Sequence, residues 1–227
     1  MARASAPLTP GGAPGTITDY VTDVIRDRIV LGILAPGAKV PVYELAEELA
    51  VSRVPLREAV RQLEAESLVE NLPRRGSVVR PLSERDLRDS FELLRRIEPI
   101  AARRAALAED PSVADELEKL LAEVDALSAR RTPETGVEML HAHRDFHFAL
   151  FRSAGGGVLE RHLCMLWNTC ERYVMRSLPD AERQKSAAKE HAELVRLIRA
   201  GAPEETERVL EQHLQASLTS ALRHLDG

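Results

Sequence analysis

The amino-acid sequence predicts a mainly α-helical protein, and three observations support this prediction. Leu, Ala, Glu and Arg dominate the 227 residues while aromatic residues make up only 4%, a composition that favours helices over strands. Apolar residues recur at helical spacing through most of the chain. Proline and glycine separate these amphipathic stretches, and β-prone runs occur in one short region. The length suits one large domain or two smaller ones.

The first eighty residues predict three helices and then a hairpin. The helices are expected at 16–31, at 43–50 and from the N-cap residue Ser52 to about 67. Two β-prone runs, 68–72 and 77–80, flank the turn-forming sequence PRRG. This order of elements predicts a winged helix-turn-helix domain over 16–80, preceded by a disordered Pro/Gly-rich segment at 1–15.

The rest of the chain, 81–227, predicts helices throughout. Six amphipathic helices are expected, at 84–108, 113–129, 134–153, 158–177, 182–200 and 203–225. Prolines and a run of three glycines separate them. An antiparallel all-helical bundle is the simplest architecture that buries so many apolar faces, so the second domain is predicted to be such a bundle.

The predicted third helix carries a column of arginines. Arg53, Arg57 and Arg61 follow i, i+4, i+8 spacing beside the buried stripe, as a helix that enters the major groove of DNA requires. Arg74 and Arg75, at the tip of the hairpin, would meet the DNA backbone or the minor groove. The net charge of -5 argues against adhesion through bulk charge, and an arginine column alone is more often a solvated helix face. The DNA interpretation therefore depends on the column together with the order of the elements.

Four histidines lie on apolar stripes of the predicted bundle. His143 and His147 share one face of a helix at i, i+4 spacing, and His191 and His213 lie on the stripes of two later helices. Neutral imidazoles bind borderline divalent metals, so a shared metal site is one interpretation. Hydrogen-bonded core histidines are the alternative, and spacing alone leaves it open.

The segment DRIVLGILAPGAKVPVYELAEELAVSRVPLREAVRQLEAESLVENLPRRGSVV resembles the N-terminal winged helix of the GntR family of bacterial transcription regulators. The resemblance implies that operator DNA is contacted by Ser52, Arg53, Arg57, Arg75 and Gly76. Two positions depart from the family pattern. Tyr43 stands where relatives often carry Arg, which bears on base preference, and Ser67 stands where they usually carry Gly, which bears on the turn from helix to strand.

Residues 84–225 resemble the helical FCD effector domain of FadR-type GntR regulators. The resemblance is carried by FELLRRIEPIAARRAAL, HRDFHFALFRSAGG, LWNTCERYVMRSL and EHAELVRLIRAGAPEETERVLEQHL. It implies that the metal ligands are His143, His147, His191 and His213, with His143 at a position where metal-binding members carry Asp or a similar residue. A four-histidine site carries less negative charge, which favours Zn or Ni over Mn.

The effector pocket is expected to include Glu98 and Arg95. Relatives commonly carry Arg four residues before the glutamate, where this chain has Leu94, and Arg95 comes one residue late. Open metal positions would still accept a small carboxylate. A metal-free site for a larger ligand, such as an acyl thioester, is the alternative, and Glu98 could instead pair with a neighbouring arginine.

Together these features predict a homodimeric, ligand-responsive transcription regulator, with repression as its expected action, that binds a palindromic operator. No HExxH, nucleophile elbow or P-loop sequence is present, so a metal-dependent hydrolase is the weaker alternative and no enzyme is expected. Cys164 and Cys170 form no CxxC pair and suit a reducing compartment. No stretch approaches the roughly 18 apolar residues of a membrane span, so a cytoplasmic location without membrane contact is expected.

Overall fold

The protein was analysed as a computed structural model that describes residues 15–108, 110–130, 136–177 and 180–225. The chain divides into two compact units, Met1–Pro81 and Leu82–Gly227. The predicted disordered segment, 1–15, lies outside the described residues except for its last position. No helix among the described residues combines the length and the apolar character needed to span a membrane.

The N-terminal unit contains three helices and a two-stranded sheet. These elements are α1 (Ile17–Val30), α2 (Val42–Glu48), α3 (Arg53–Ala65), β1 (Val69–Leu72) and β2 (Gly76–Val79). The strands pair antiparallel, with Val69 opposite Val79, and an isolated bridge joins Lys39 to Val78. The predicted winged helix-turn-helix is thereby confirmed, and the bridge from Lys39 is an addition that the sequence pattern did not indicate.

The apolar stripes of α1 and α3 form the core of this unit. Their buried side chains are Val21, Ile25, Ile29, Leu56, Ala59 and Leu63. A bidentate ion pair reinforces the contact, because Arg26 donates from Nε and Nη2 to the two carboxylate oxygens of Glu66 at 2.8 and 2.7 Å. Such paired bonds fix orientation as well as distance, so they hold the end of α3 against α1.

The turn after α3 shows how the chain tolerates serine at a glycine position. Ser67 has φ of +59°, in the left-handed region. Its N–H donates to the carbonyl of Glu64 at 3.0 Å, and the N–H of Leu68 donates to the carbonyl of Leu63 at 2.9 Å. This pair of bonds is a Schellman motif, the usual C-terminal cap of a helix. The turn therefore keeps the geometry that glycine favours, and the backbone of Ser67 is strained because serine disfavours the left-handed region.

Replacing Ser67 with glycine is expected to stabilise the N-terminal unit by roughly 0.5–1 kcal/mol. The left-handed conformation costs a non-glycine residue about 1–2 kcal/mol, and the extra backbone entropy of glycine offsets part of that gain. Hydrogen exchange of the buried α3 amides in the whole chain measures the change. Ala65→Gly, at the exposed last residue of α3 two positions earlier, is the control and should destabilise by up to about 1 kcal/mol. Slower exchange in both variants would contradict the conformational argument.

The C-terminal unit is built from helices in all of its described regular structure. They are α4 (Glu84–Leu107), α5 (Pro111–Ala129), α6 (Gly136–Ser153), α7 (Val158–Arg176), α8 (Ala181–Arg199) and α9 (Pro203–Arg223). The predicted helices agree with these within two residues wherever the ends are described. α5 begins two residues earlier than predicted because Asp110 accepts a capping bond from the Ser112 N–H at 2.9 Å and proline suits the first helical position.

α4 is central to the core of this unit, where it packs against α6, α7, α8 and α9. Its buried face includes Leu87, Phe91, Leu94 and Ala101. α4 and α7 run antiparallel, as two contacts show. The N–H of Ser83 donates to the Tyr173 hydroxyl at 3.2 Å, and Arg104 donates to the carbonyl of Ala154, just before α7, at 3.3 Å.

Candidate functional site

The first candidate surface is the exposed face of α3. Because Leu56, Ala59 and Leu63 occupy the buried face, Arg53 and Arg57 project into solvent. Arg61 is also exposed and contacts Glu58 at 3.3 Å, a surface pair that contributes little. Ser52 is the N-cap residue of α3, as predicted, and its backbone is extended, but its side chain makes no capping hydrogen bond within the described residues. The exposed hydroxyl is therefore available to an external acceptor.

Tyr43 supports one of these arginines. The Arg53 guanidinium carbon lies 4.6 Å from the centre of the Tyr43 ring, a cation–π contact. The ring is 60% exposed, which is unusual for a large aromatic side chain. Tyr43 thus contacts the first arginine of the α3 column and restricts its position.

The wing completes the surface. Arg74, Arg75 and Gly76 are all exposed, and Arg74 and Gly76 adopt φ of +66° and +78° in the turn between the strands. Residues of α2, α3 and the sheet line one shallow hollow, including Lys39, Tyr43, Arg53, Arg57, Asn71 and Ser77. Of the predicted DNA-contacting residues, Arg53, Arg57, Arg61 and Gly76 line this hollow, which also contains Glu44 and Glu64, whereas Arg74 and Arg75 lie outside its lining.

The second candidate site is a buried histidine cluster in the C-terminal unit. His143 and His147 on α6 and His191 on α8 place one ring nitrogen each within 4.8 Å of the others. His147 and His191 are 1% and 3% exposed. The i, i+4 spacing on α6 aligns the first two rings, and the apolar stripe of α8 turns the third toward them.

Buried polar atoms without hydrogen-bond partners concentrate at this cluster. Within the described residues, the atoms of the cluster without a partner are Nδ1 of His143, Nδ1 and Nε2 of His147, Nε2 of His191, and both carboxylate oxygens of Glu98. Native proteins rarely leave such atoms unpaired, since each costs about 1–3 kcal/mol. Six in one place indicate a bound group that these atoms would contact, and nitrogen and carboxylate donors are those of a divalent metal.

His213 on α9 lies beside the cluster with its ring already oriented. The ring centres of His213 and His191 are 4.6 Å apart. Nδ1 of His213 lies 2.8 Å from Oε2 of Glu190 and 3.2 Å from Nη2 of Arg183. Because an ionised carboxylate only accepts, the shorter contact requires the proton on Nδ1 and leaves Nε2 unprotonated. Arg183 bonds the same carboxylate at 2.9 Å and also the Ser217 hydroxyl at 2.9 Å. A carboxylate–histidine arrangement of this kind fixes the tautomer of a metal-ligating imidazole.

The electrostatics of the cluster keep its imidazoles neutral. Burial, aided by the other cationic groups nearby, lowers the pKa of His143 to about 4, and burial lowers the pKa values of His147 and His191 well below 6.5. The pKa of His213 is also lowered, mainly by burial. Burial would raise the pKa of Glu190, but hydrogen bonds from His213 and Ser186 bring it to about 2. Near neutral pH the cluster therefore offers free nitrogen lone pairs, as metal ligation requires.

Glu98 and Arg95, the two residues expected at the effector pocket, occupy different places. Glu98 is fully buried, and its Oε1 lies 3.5 Å from Nδ1 of His147. Burial raises the pKa of Glu98 to about 8, and no arginine in the described parts of the chain pairs with it. Arg95 is exposed and donates to Oε1 of Gln215 at 2.6 Å. Glu98 thus belongs to the histidine cluster, and Arg95 lies on the outer face of α4.

A cavity of about 220 Å³ opens beside the histidines. His143, His191 and His213 line it together with Trp167, whose ring stacks on His147 with centres 3.9 Å apart. Other lining residues are Phe91, Leu94, Leu121, Val124, Arg183 and Lys185. The sequence analysis missed Arg183 and Lys185. Their positions one to two turns before His191 on the same helix were the signal that could have revealed them.

A winged helix-turn-helix with an exposed arginine column, joined to a helical domain with a cavity, defines a DNA-binding regulator with a ligand-sensing domain. Residues 17–79 match the family model of gntR bacterial regulatory proteins, and residues 89–216 match the FCD domain. The chain belongs to the GntR family of bacterial transcription regulators, in the group that carries an FCD domain. The family consists of regulators rather than enzymes, and its members bind operator DNA and small-molecule effectors.

Several relatives are similar to this chain over much of its length. One from Paenarthrobacter nicotinovorans, named as a probable D-xylose utilization operon transcriptional repressor, is 32% identical over 93% of this chain and 91% of its own. The Escherichia coli repressor RspR is 26% identical over 88% and 86%. The gluconate operon transcriptional repressor of Bacillus licheniformis is 26% identical over 63% and 56%. The solved structure of Escherichia coli McbR/YncC shares the fold, with a TM-score of 0.79 over 92% and 98% at 20% identity.

Proposed function

We propose that this regulator is a metal-dependent repressor that binds a palindromic operator as a homodimer and releases or gains DNA when a small carboxylate enters its FCD domain. The observation that carries the proposal is the group of six unpartnered buried polar atoms beside the cavity. A bound divalent ion would take one nitrogen from each of the three histidines and could take an oxygen of Glu98, so it would satisfy most of these atoms. The domain that holds them is the FCD domain. The names of the relatives support repression as the action.

The residues that would hold the metal are His143, His147, His191 and His213. The first three place one ring nitrogen each within 4.8 Å of the others. The contact of Nδ1 of His213 with Glu190 would favour the tautomer in which Nε2 is free to bind a metal. Imidazole ligation favours Zn or Ni. The site differs in one respect from the expected site of four histidines. Glu98 adds a buried carboxylate next to His147. When bound, the ion would supply open coordination positions for oxygen atoms of a ligand.

The cavity favours a small effector over an acyl thioester. Its volume of about 220 Å³ lies below the roughly 300–1,000 Å³ typical of sites for drug-sized ligands. Leu94 lines the cavity at the position where the family resemblance would place Arg. Arg95 contacts Gln215 instead, so the metal and Lys185 are the groups that would bind a carboxylate. A relative is named for the gluconate operon, and gluconate is a small hydroxycarboxylate.

The DNA-binding residues of the proposal are Ser52, Arg53, Arg57, Arg61, Arg74, Arg75 and Gly76. Exposed arginines near the start of α3 can reach base edges and phosphates, and the wing arginines can reach the adjacent backbone or minor groove. A two-fold dimer copies its symmetry into the operator, so the site is an inverted repeat. The regulator would act on DNA in the bacterial cytoplasm.

Selection of bound sequences from a random double-stranded DNA pool tests the assignment. The whole chain, purified with its metal, should enrich an inverted repeat whose half-sites are about one helical turn apart. Small carboxylates should then shift the affinity for the selected site, because a ligand changes an equilibrium only through different affinity for its two states. Enrichment of single half-sites would contradict the dimer, and no enrichment at all would contradict the assignment as a whole.

Tyr43→Ala is expected to weaken binding to the selected operator by roughly two- to fivefold per subunit. An exposed cation–π contact is worth about 0.5–1 kcal/mol, which here holds the Arg53 guanidinium in place. Fluorescence anisotropy with labelled operator measures the loss. Tyr43→Phe keeps the ring and should bind like the wild type. Equal losses in the two variants would show that the hydroxyl, and not the stacking, matters.

A further inference from the structure

The walls of the cavity beside the histidines are largely apolar. Among the described residues, side chains of four helices form these walls: Phe91 and Leu94 of α4, Leu121 and Val124 of α5, Val174 of α7, and Leu214 of α9. All of them are buried except Val174, which is half-buried. Such walls offer no hydrogen bond in place of those that a ligand hydroxyl makes with water. The part of a ligand that lies between them is therefore expected to be apolar.

The serine hydroxyls of the lining already make hydrogen bonds within the protein. The Ser177 hydroxyl donates to a carbonyl oxygen one turn earlier at 2.7 Å, and the Ser128 hydroxyl donates to the sulfur of Met139 at 3.6 Å. The Ser217 hydroxyl accepts from Arg183 at 2.9 Å. A ligand with several hydroxyl groups would find few free partners here and would lose affinity for each group that stays unpaired. The lining therefore disfavours a polyhydroxy acid.

The charges of the described lining favour one carboxylate over two. Arg183 is buried and donates to the carboxylate of Glu190 at 2.9 Å, so its charge already has a partner. Lys185 and Asp125 are both exposed and carry opposite charges. Beyond the proposed metal, these residues provide no excess of positive charge that would hold a second carboxylate.

We propose that the effector is a monocarboxylate with a compact apolar body, of the size of one aromatic ring or a short branched chain. Its carboxylate lies at the histidine end of the cavity, and its body packs against the apolar walls, Phe91 and Leu94 among them. The volume of about 220 Å³ favours a compact body over a long chain. The inference rests on the proposed function, because it names the chemical class of the effector that the same site would bind.

Isothermal titration calorimetry of the whole chain, with its metal content measured beforehand, tests the class. The apolar probes are benzoate, phenylacetate and isovalerate. Gluconate is the polyhydroxy probe, and terephthalate adds a second carboxylate to benzoate. At least one apolar probe should bind roughly tenfold or more tightly than gluconate and terephthalate, because the lining does not replace the hydration that their additional polar groups lose.

A cavity-filling variant tests the location of the apolar body. Ala188 lines the cavity from α8 and is half-buried. Ala188→Leu should therefore occupy part of the cavity and weaken binding of the best apolar probe roughly tenfold or more, with the metal content unchanged. Ala122→Leu, at an exposed position of α5 outside the described lining, is the matched control and should bind like the wild type. Far-UV circular dichroism verifies the fold of both variants.

The outcomes separate the effector class from the proposed function. Gluconate or terephthalate that binds as tightly as the best apolar probe would overturn the class and leave a carboxylate effector in place. No binding of any of the five probes would overturn both the class and the carboxylate effector, while operator selection and metal content test the rest of the proposed function independently. If Ala188→Leu folds and binds the best apolar probe as tightly as Ala122→Leu does, the placement of the body in this cavity is wrong.

Discussion

Alanine at position 147 is expected to remove the metal from the protein. Elemental analysis of the wild type, purified without added metal or chelator, should find about one ion per chain, and His147→Ala should contain essentially none. His147 has both ring nitrogens buried without partners and lies at the contact of His143, Glu98 and Trp167. Removing His147 takes away one of the three nitrogens that lie within 4.8 Å of one another, so the remaining donors should hold a divalent ion too weakly for it to survive purification.

Stability should fall together with the metal content. An ion that binds only the folded state stabilises it by RT ln(1 + [L]/Kd), which is about 4 kcal/mol when the free ion is at 1,000 times Kd. His147→Ala should therefore unfold at a lower temperature than the wild type. A chelator should lower the unfolding temperature of the wild type but not that of the variant. Quenching or shift of Trp167 emission on adding metal provides a second readout, because its ring stacks on His147.

Two further variants sharpen this test. His162→Ala removes an exposed imidazole that bonds only its own helix, at the carbonyl of Val158, and should keep the metal. Glu190→Gln keeps all four imidazoles but weakens the bond that orients His213, so metal affinity should fall roughly 10- to 100-fold rather than vanish. A wild type that takes up no ion even when Zn or Ni is supplied would contradict the metal site and direct the effector search to metal-free ligands.

The exposed arginine face of α3, which we propose contacts DNA, was largely predictable because its information is local. Ser52 before the helix and the period of Leu56, Ala59 and Leu63 place the start and the buried face of α3, and the buried face determines where Arg53 and Arg57 point. The bridge from Lys39 to Val78 was not predictable, since a single paired residue has no period. The stack of Arg53 on Tyr43 depends on how α2 packs against α3, which the pattern does not contain.

The histidine cluster was predictable only in part. His143 and His147 share a helix, so their spacing alone brings them together, whereas the approach of His191 requires α8 to pack against α6. Glu98 was expected in the effector pocket from the resemblance to the FCD domain. The structure shows that its carboxylate lies 3.5 Å from Nδ1 of His147, within a buried stripe that continues to Ala101. The bond from His213 to Glu190 joins two helices, and no spacing within either one indicates it.

Arg53→Ala and Arg57→Ala are each expected to weaken binding to the selected operator at least tenfold, with the fold intact. Both side chains are exposed on α3, so their loss leaves no cavity in the core. A bidentate contact from arginine to guanine is worth about 1–3 kcal/mol of discrimination, and a phosphate contact contributes to affinity in proportion to counterion release. The same loss occurs in both half-sites of a palindrome, so the dimer is affected twice.

The salt dependence of operator affinity distinguishes an arginine that contacts phosphate from one that contacts a base. A variant that loses a phosphate contact should reduce the slope of log K against log salt by about one for each contact and weaken all sequences alike. A variant that loses a base contact should keep the slope and tolerate other bases at one position of each half-site. Because Tyr43 contacts Arg53 at the start of the helix, we expect Arg53 to contact a base.

Arg208→Ala removes an exposed arginine of α9 and is the matched control for charge. Equal affinity of Arg53→Ala, Arg57→Ala and Arg208→Ala for the operator would refute the assignment of α3 as the recognition helix.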